Sequence, residues 1–286
     1  MVDATGILFA LVAIFSWGSS LVPFKLAGKV DGIQYNLFIS MGIVISTLIA
    51  LPLLNFSFGF SIHGLVAGAM WALGNTIGIF SIRLLGLSKA VPMIGACIVL
   101  TSFLWGILFF NEQLKLILVA LIGIVLLIIG IPLIVTSREQ MTSSSAKPLI
   151  FAIITGVTFG SYITPLKLSG LPINEYIFSM VLGILVTSSI IYLLSLYMRK
   201  QRPNFNKIFH GISSGFMWTI GNITSLFAIS SLGLSIGLPL TQAQLLVATS
   251  WGLFYFKEST NKEAVLKIII GAILVLSGAV LLAVSK

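Results

Sequence analysis

The chain has 286 residues, of which 58% are hydrophobic and 8% charged, with one cysteine and two histidines. Soluble domains carry about a quarter charged residues, so the composition excludes that class and describes an integral membrane protein. The net charge of +9 lies mostly in short connections between apolar runs and reads as a topology signal, with no nucleic-acid partner expected. Cys97, His63 and His210 are too few for a Cys/His metal site, and no cofactor is expected.

In chain order, apolar runs of about 20 residues, the length that crosses a bilayer as a helix, predict ten spans. They cover about 6–26, 33–54, 63–82, 90–110, 116–136, 149–168, 175–198, 210–231, 236–256 and 264–284. The first follows Asp3 without a basic leader, so a cleaved signal peptide is not expected. It carries Trp17, Gly18, Ser19 and Ser20 midway and ends on Pro23 and Lys25, and Asp31 and Gly32 precede the second. The third contains GAMWALGN, Gly68 to Asn75. The fourth opens on Leu85-Gly86-Leu87-Ser88, holds Pro92 and closes on Trp105-Gly106 before Glu112, and the fifth holds Gly123 and Gly130.

After the polar stretch Ser137–Lys147 the series recurs. GSYITPLK (Gly160 to Lys167) matches GSSLVPFK (Gly18 to Lys25), and GFMWTIGN (Gly215 to Asn222) matches the third span at five of eight positions. Leu232-Gly233-Leu234-Ser235, Pro239, Trp251-Gly252 and Glu258 answer the fourth span, and Gly271 and Gly278 the fifth. Five anchors in one order identify a duplication, residues 1–140 and 149–286, joined by a linker at 141–148. Five helices per copy is an odd number, so the second copy enters the bilayer upside down. The predicted fold is therefore an all-α integral membrane protein, ten transmembrane helices in two inverted five-helix repeats. Such repeats build many secondary transporters, with the substrate near the midplane where the halves meet and alternating access produced by rocking.

Three basic residues (Lys115, Lys167 and Lys286) fall on the face that holds both termini, and the other thirteen of sixteen on the opposite face. The positive-inside rule then places both termini outside. All seven acids (Asp3, Asp31, Glu112, Glu139, Glu175, Glu258 and Glu263) lie at span ends or in loops. A charge at the bilayer centre costs about 2.5 to 3.5 kcal/mol and usually marks an ion or proton path. The substrate is expected to be neutral, and facilitated diffusion is more economical than proton coupling.

Neutral polar groups and indoles remain. Trp71 and Asn75 are four residues apart and share a helix face, as do Trp218 and Asn222; Trp17 lies midway along the first span, and Gln242 and Gln244 lie in the ninth. Amides offer donors and an acceptor to hydroxyls, and an indole face stacks on the apolar side of a sugar ring. These residues are the candidate substrate site, for a small polyhydroxylated solute. The same amides can serve only as interhelical glue, worth about 0.6 kcal/mol, and Gln242 and Gln244, two residues apart, cannot both face one cavity. Trp105 and Trp251 sit near span ends and read as belt residues. Lys25 and Lys167 read as gate or helix-end contacts or as snorkelling side chains. Glu112 and Glu258 read as caps on the following helix or as partners of a basic residue. The glycines of the fifth and tenth spans permit close helix contact, within the monomer or in a homodimer.

The ten-span duplicated layout, WGSSLVPFK followed by Asp31-Gly32, GAMWALGN, LGLSKAVP and WGILFFNE resemble the glucose/ribose porter family of the drug/metabolite transporter superfamily. The resemblance covers essentially the whole chain. It implies sugar uptake across the plasma membrane, with glucose the leading candidate, and the fifth and tenth helices at the periphery of a central cavity. An exporter of amino acids or other metabolites on the same scaffold is the alternative. An enzyme is not expected, since no catalytic constellation gathers at one depth.

Overall fold

The computed structural model describes residues 4–111, 115–136, 146–199, 205–232 and 240–285. All regular elements among them are helices: α1 (Ala4–Ser19), α2 (Val22–Ala27), α3 (Gly32–Leu53), α4 (Ile62–Leu85), α5 (Leu87–Leu108), α6 (Ile117–Thr136), α7 (Lys147–Ser161), α8 (Thr164–Ser169), α9 (Ile173–Arg199), α10 (Ile208–Leu232), α11 (Gln244–Ser250) and α12 (Lys262–Val284). A wide π turn, Trp251–Tyr255, continues α11. With α1 and α2 taken as one span, eight helices among the described residues are long and apolar enough to cross a membrane. The protein is a multi-pass membrane protein.

Ten spans were expected, and two take a different form. The sixth is α7 followed by α8, broken at Tyr162 and Ile163. Pro165 lies in the first turn of α8, where its missing N–H costs nothing, but it cannot bond back into α7. Of the ninth, residues 236–239 lie outside the described residues; Leu240 and Thr241 are helical, a turn at Gln242 and Ala243 follows, and the remainder is α11 with its π turn. The linker residues 141–145 also lie outside them, as does Glu112.

The duplicated motifs fold alike. α1 is broken at Ser20 and Leu21 ahead of Pro23, as α7 is ahead of Pro165. The short helix that follows ends each time on a glycine with positive φ, Gly28 at 68° and Gly170 at 65°. Asn111 and Lys257, each just before a duplicated glutamate, both have φ of 50°.

The chain forms two compact units, and each draws segments from both repeats. The first comprises Met1–Ser19, Phe80–Gly160 and Ile220–Lys286; the second comprises Ser20–Ile79 and Ser161–Thr219.

In the first unit α6 and α12 run antiparallel. A Cβ on Gly123 would meet the Gly278 carbonyl and one on Gly278 the Gly123 carbonyl, and Gly130 and Gly271 exchange the same contact. Around these small residues Leu127, Ile134, Ile268 and Leu282 are fully buried. The four glycines thus serve contact inside one chain.

In the second unit α3 and α9 also run antiparallel, since Gln34 bonds Tyr192 while Asn36 and Ser40 bond Ser188. Several of its contacts come in reciprocal pairs. The Tyr35 hydroxyl donates to the His210 carbonyl at 3.0 Å, and that of Tyr176 donates to the His63 carbonyl at 3.3 Å. Gly68 packs on Met180 and Ile184, and Gly215 on the equivalent Ile39 and Ile43. Each pair maps onto the other by exchanging repeats, so the unit is built about a local two-fold.

Candidate functional site

Two of the predicted indoles meet in the second unit. Trp71 and Trp218 occupy equivalent positions of α4 and α10 and contact edge to face, ring centroids 5.0 Å apart. A residue touching its own counterpart sits on the two-fold, so this pair marks the axis. Trp71 is 3% exposed.

One turn along α4 from Trp71, Asn75 donates from Nδ2 to Asn36 Oδ1 at 2.6 Å. Asn36, on α3, is buried among polar partners. Its own Nδ2 donates to Thr76 Oγ1 at 2.9 Å, to Ser188 Oγ at 3.1 Å and, more weakly, to the Ala72 carbonyl at 3.4 Å. Ser40 Oγ lies 2.7 Å from Ser188 Oγ and donates back to the Asn36 carbonyl. A buried amide costs stability unless paired, and this network pairs it fully.

The network has no second copy. Under the alignment set by Tyr35 with Tyr176 and His63 with His210, Asn36, Ser40 and Thr76 correspond to Ile177, Val181 and Ile223. Asn75 and Ser188 keep polar counterparts, Asn222 and Thr47. Among the described residues the Asn222 amide makes no hydrogen bond, and it is half-buried. Two asparagines that look equivalent in sequence therefore sit differently, one anchored and one unanchored.

Trp17, Asn222, Gln242, Gln244 and Glu258 belong to the first unit. A Cβ on Gly221, beside Asn222, would run into the Trp17 indole, so Trp17 packs flat against α10. A Cβ on Gly18 would meet Val247 and the Gln244 carbonyl, which sets α1 against α11. The Gln242 and Gln244 side chains are half-buried, and neither makes a hydrogen bond among the described residues. Trp251, read as a belt residue, instead donates from Nε1 to Ser19 Oγ at 2.9 Å and ties the end of α1 inside the unit.

Glu258 is a cap, though not on the helix that follows it. Its carboxylate accepts from Leu87 N and Ser88 N at 2.8 Å each and from Ser88 Oγ at 2.7 Å, closing the N-terminus of α5. The following helix, α12, is capped by Asn261, which accepts from Glu263 N at 2.9 Å. Lys25, in α2, is half-buried and Lys167, in α8, is exposed.

Asn36, Ser40, Thr76 and Ser188 escaped the sequence reading. Asn36 lies in the first turns of its span, where polar residues are unremarkable, and its partners are hydroxyls that also satisfy themselves on their own helix, as Thr76 does at the Ala72 carbonyl. The available signal was Asn36 and Ser40 at i and i+4, on one face.

A family model described as Sugar transport protein matches residues 8–285. A putative sugar uptake protein of Enterococcus faecalis is 26% identical, over 98% of this chain and 99% of its own. The glucose uptake protein GlcU of Bacillus subtilis is 26% identical over 98% of both, and GlcU of Staphylococcus xylosus 25% over 94% of both. A crystal structure 14% identical to the chain superposes with a TM-score of 0.67 over 98% of this chain and 96% of that one, a likeness of fold. The chain belongs to the sugar transport protein family, a family of transporters rather than enzymes.

Proposed function

We propose that the protein carries a small neutral sugar, glucose first among candidates, across the plasma membrane by alternating access. The supporting observation is the packing of the half-buried Trp218 ring on the buried Trp71, one turn from the anchored Asn75, which brings a partly accessible aromatic ring and an amide together. Both suit a polyol, and no acid lies midway along a span to suit a cation. The names of the relatives, sugar and glucose uptake proteins, agree with this reading. Trp17, Asn222 and one of Gln242 or Gln244 are proposed as further sugar contacts on the sequence grounds given above.

The ten-span, inverted-repeat arrangement belongs to this proposal. It is supported by the reciprocal contacts and by the antiparallel course of the equivalent pairs α3 and α9, and α6 and α12. Both termini are proposed to face outward, and transport is proposed to be facilitated diffusion.

The test is uptake into proteoliposomes with radiolabelled glucose, ribose and amino acids. Saturable glucose or ribose uptake that leaves luminal pH unchanged is the expected result. Amino-acid transport without sugar transport overturns the reading, and luminal acidification in step with sugar entry overturns uniport.

A further inference from the structure

We infer that Asn36 is a positioning residue: it locks the amide of Asn75 in one orientation, so that Asn75 presents its carbonyl oxygen and one N–H side by side to a pair of neighbouring hydroxyls. The inference rests on the sugar-binding reading above and assigns a determinant of selectivity within it.

The chain of commitments starts at Thr76. Its hydroxyl hydrogen goes to the Ala72 carbonyl at 2.8 Å, so Thr76 Oγ1 can only accept from Asn36. That places the NH2 of Asn36 toward Thr76 and Ser188 and turns its Oδ1 toward Asn75. Reversing the Asn36 amide would set its oxygen against the Thr76 oxygen and the Ala72 carbonyl, two acceptors without a hydrogen to share. With Asn36 fixed, the group it faces on Asn75 must be the donor, and Nδ2 takes that place at 2.6 Å.

What is left of Asn75 is its Oδ1 and the second hydrogen of Nδ2. Neither has a partner among the described residues. Oδ1 is not among the buried polar atoms left unpaired, so it opens onto accessible space although the residue as a whole is only 7% exposed, and the second N–H lies beside it on the same amide. An acceptor and a donor presented side by side match two adjacent hydroxyls of a sugar, one donating and one accepting, and a locked amide decides which is which. Asn222 has no such lock, because the residue corresponding to Asn36 is Ile177. Its amide can turn, so any selectivity for hydroxyl direction comes from Asn75.

Deoxy and deoxyfluoro analogues of glucose read this directly, since fluorine replaces a hydroxyl as acceptor and not as donor. Inhibition of glucose uptake by each analogue is measured for the parent protein, Asn75→Ala, Asn36→Val, Thr76→Val and Thr76→Ser. In the parent, at one ring position both analogues should bind about fivefold or more worse than glucose, the worth of one hydrogen bond. At a neighbouring position the fluoro analogue should recover most of what the deoxy analogue loses. Asn36→Val and Thr76→Val should flatten the difference between these two positions to within about twofold, while Thr76→Ser, which keeps the oriented acceptor, should restore it. If Asn36→Val and Thr76→Val keep the parent pattern while Asn75→Ala loses it, the positioning role is refuted and the sugar contact stands. If Asn75→Ala keeps both affinity and pattern, the contact itself is refuted. Should Asn36→Val not fold, the Thr76→Val and Thr76→Ser pair decides the same question.

Discussion

Replacing Glu258 with alanine removes three hydrogen bonds at once, and the structure gives a magnitude. The first turn of α5 has free N–H groups that the helix cannot satisfy; Glu258 takes those of Leu87 and Ser88, both at 2.8 Å, and adds the Ser88 hydroxyl. A side-chain cap is worth about 0.5–2 kcal/mol and a hydrogen bond to a charged group about 1.5–3. Water can replace part of this at a helix end, so the whole cap is worth about 3 kcal/mol by those values. For a chain of this size each kcal/mol moves Tm by about 2–4 °C, giving a fall of about 6–12 °C. Glu258→Gln keeps one acceptor but turns an NH2 toward a second N–H, and should lose at least half as much. Ser88→Ala loses one bond of three and should cost about 1 kcal/mol. Purified variants in detergent, melted by intrinsic fluorescence, supply the comparison. A Glu258→Ala protein melting within about 1 °C of the parent, or a Ser88→Ala protein falling further than Glu258→Ala, refutes the cap.

Asn75→Ala should lower both sugar uptake and stability, the latter by about 1–2 kcal/mol because Asn36 Oδ1 loses its donor in a buried site. Asn222→Ala should lower uptake with Tm unchanged, since no hydrogen bond within the described residues depends on it; equal melting losses for the two would refute the distinction. Gly68→Val and Gly215→Val should destabilise by similar amounts, each pushing one helix off its equivalent neighbour, and a large difference in their melting curves would count against the local two-fold. Because Cys97 is the single cysteine, Cys97→Ser with a new cysteine at Thr5 gives a topology reporter. An impermeant thiol reagent should label it from outside intact cells, and labelling only after lysis would refute outward termini.

The membrane character and most of the span limits were legible because hydrophobic length is a local property of the chain. The breaks ahead of Pro23 and Pro165 were not read, although a proline, which cannot donate back into the preceding turn, was a signal for them. The Asn36 network was not legible, because it depends on α3, α4 and α9 arriving at one place, which no spacing within a single span encodes. The helix capped by Glu258 escaped for the same reason: sequence proximity pointed to α12, and the fold delivered the carboxylate to α5. Trp251 looked like an interfacial anchor by its place near a span end, and only the approach of α1 reveals Ser19 as its acceptor.

The Asn36 network occurs once, beside tyrosine and glycine contacts that come in matched pairs. A protein assembled from two identical half-length chains would carry such a cluster on both sides of its axis or on neither. A hexose has no axis of its own, so a recognition surface that obeyed the dyad would offer it the same groups from two directions and could not tell one end of the ring from the other. On a single polypeptide Asn36 and Ile177 are free to differ, and under the sugar-contact reading proposed above that difference is what would let the site hold an asymmetric molecule one way round.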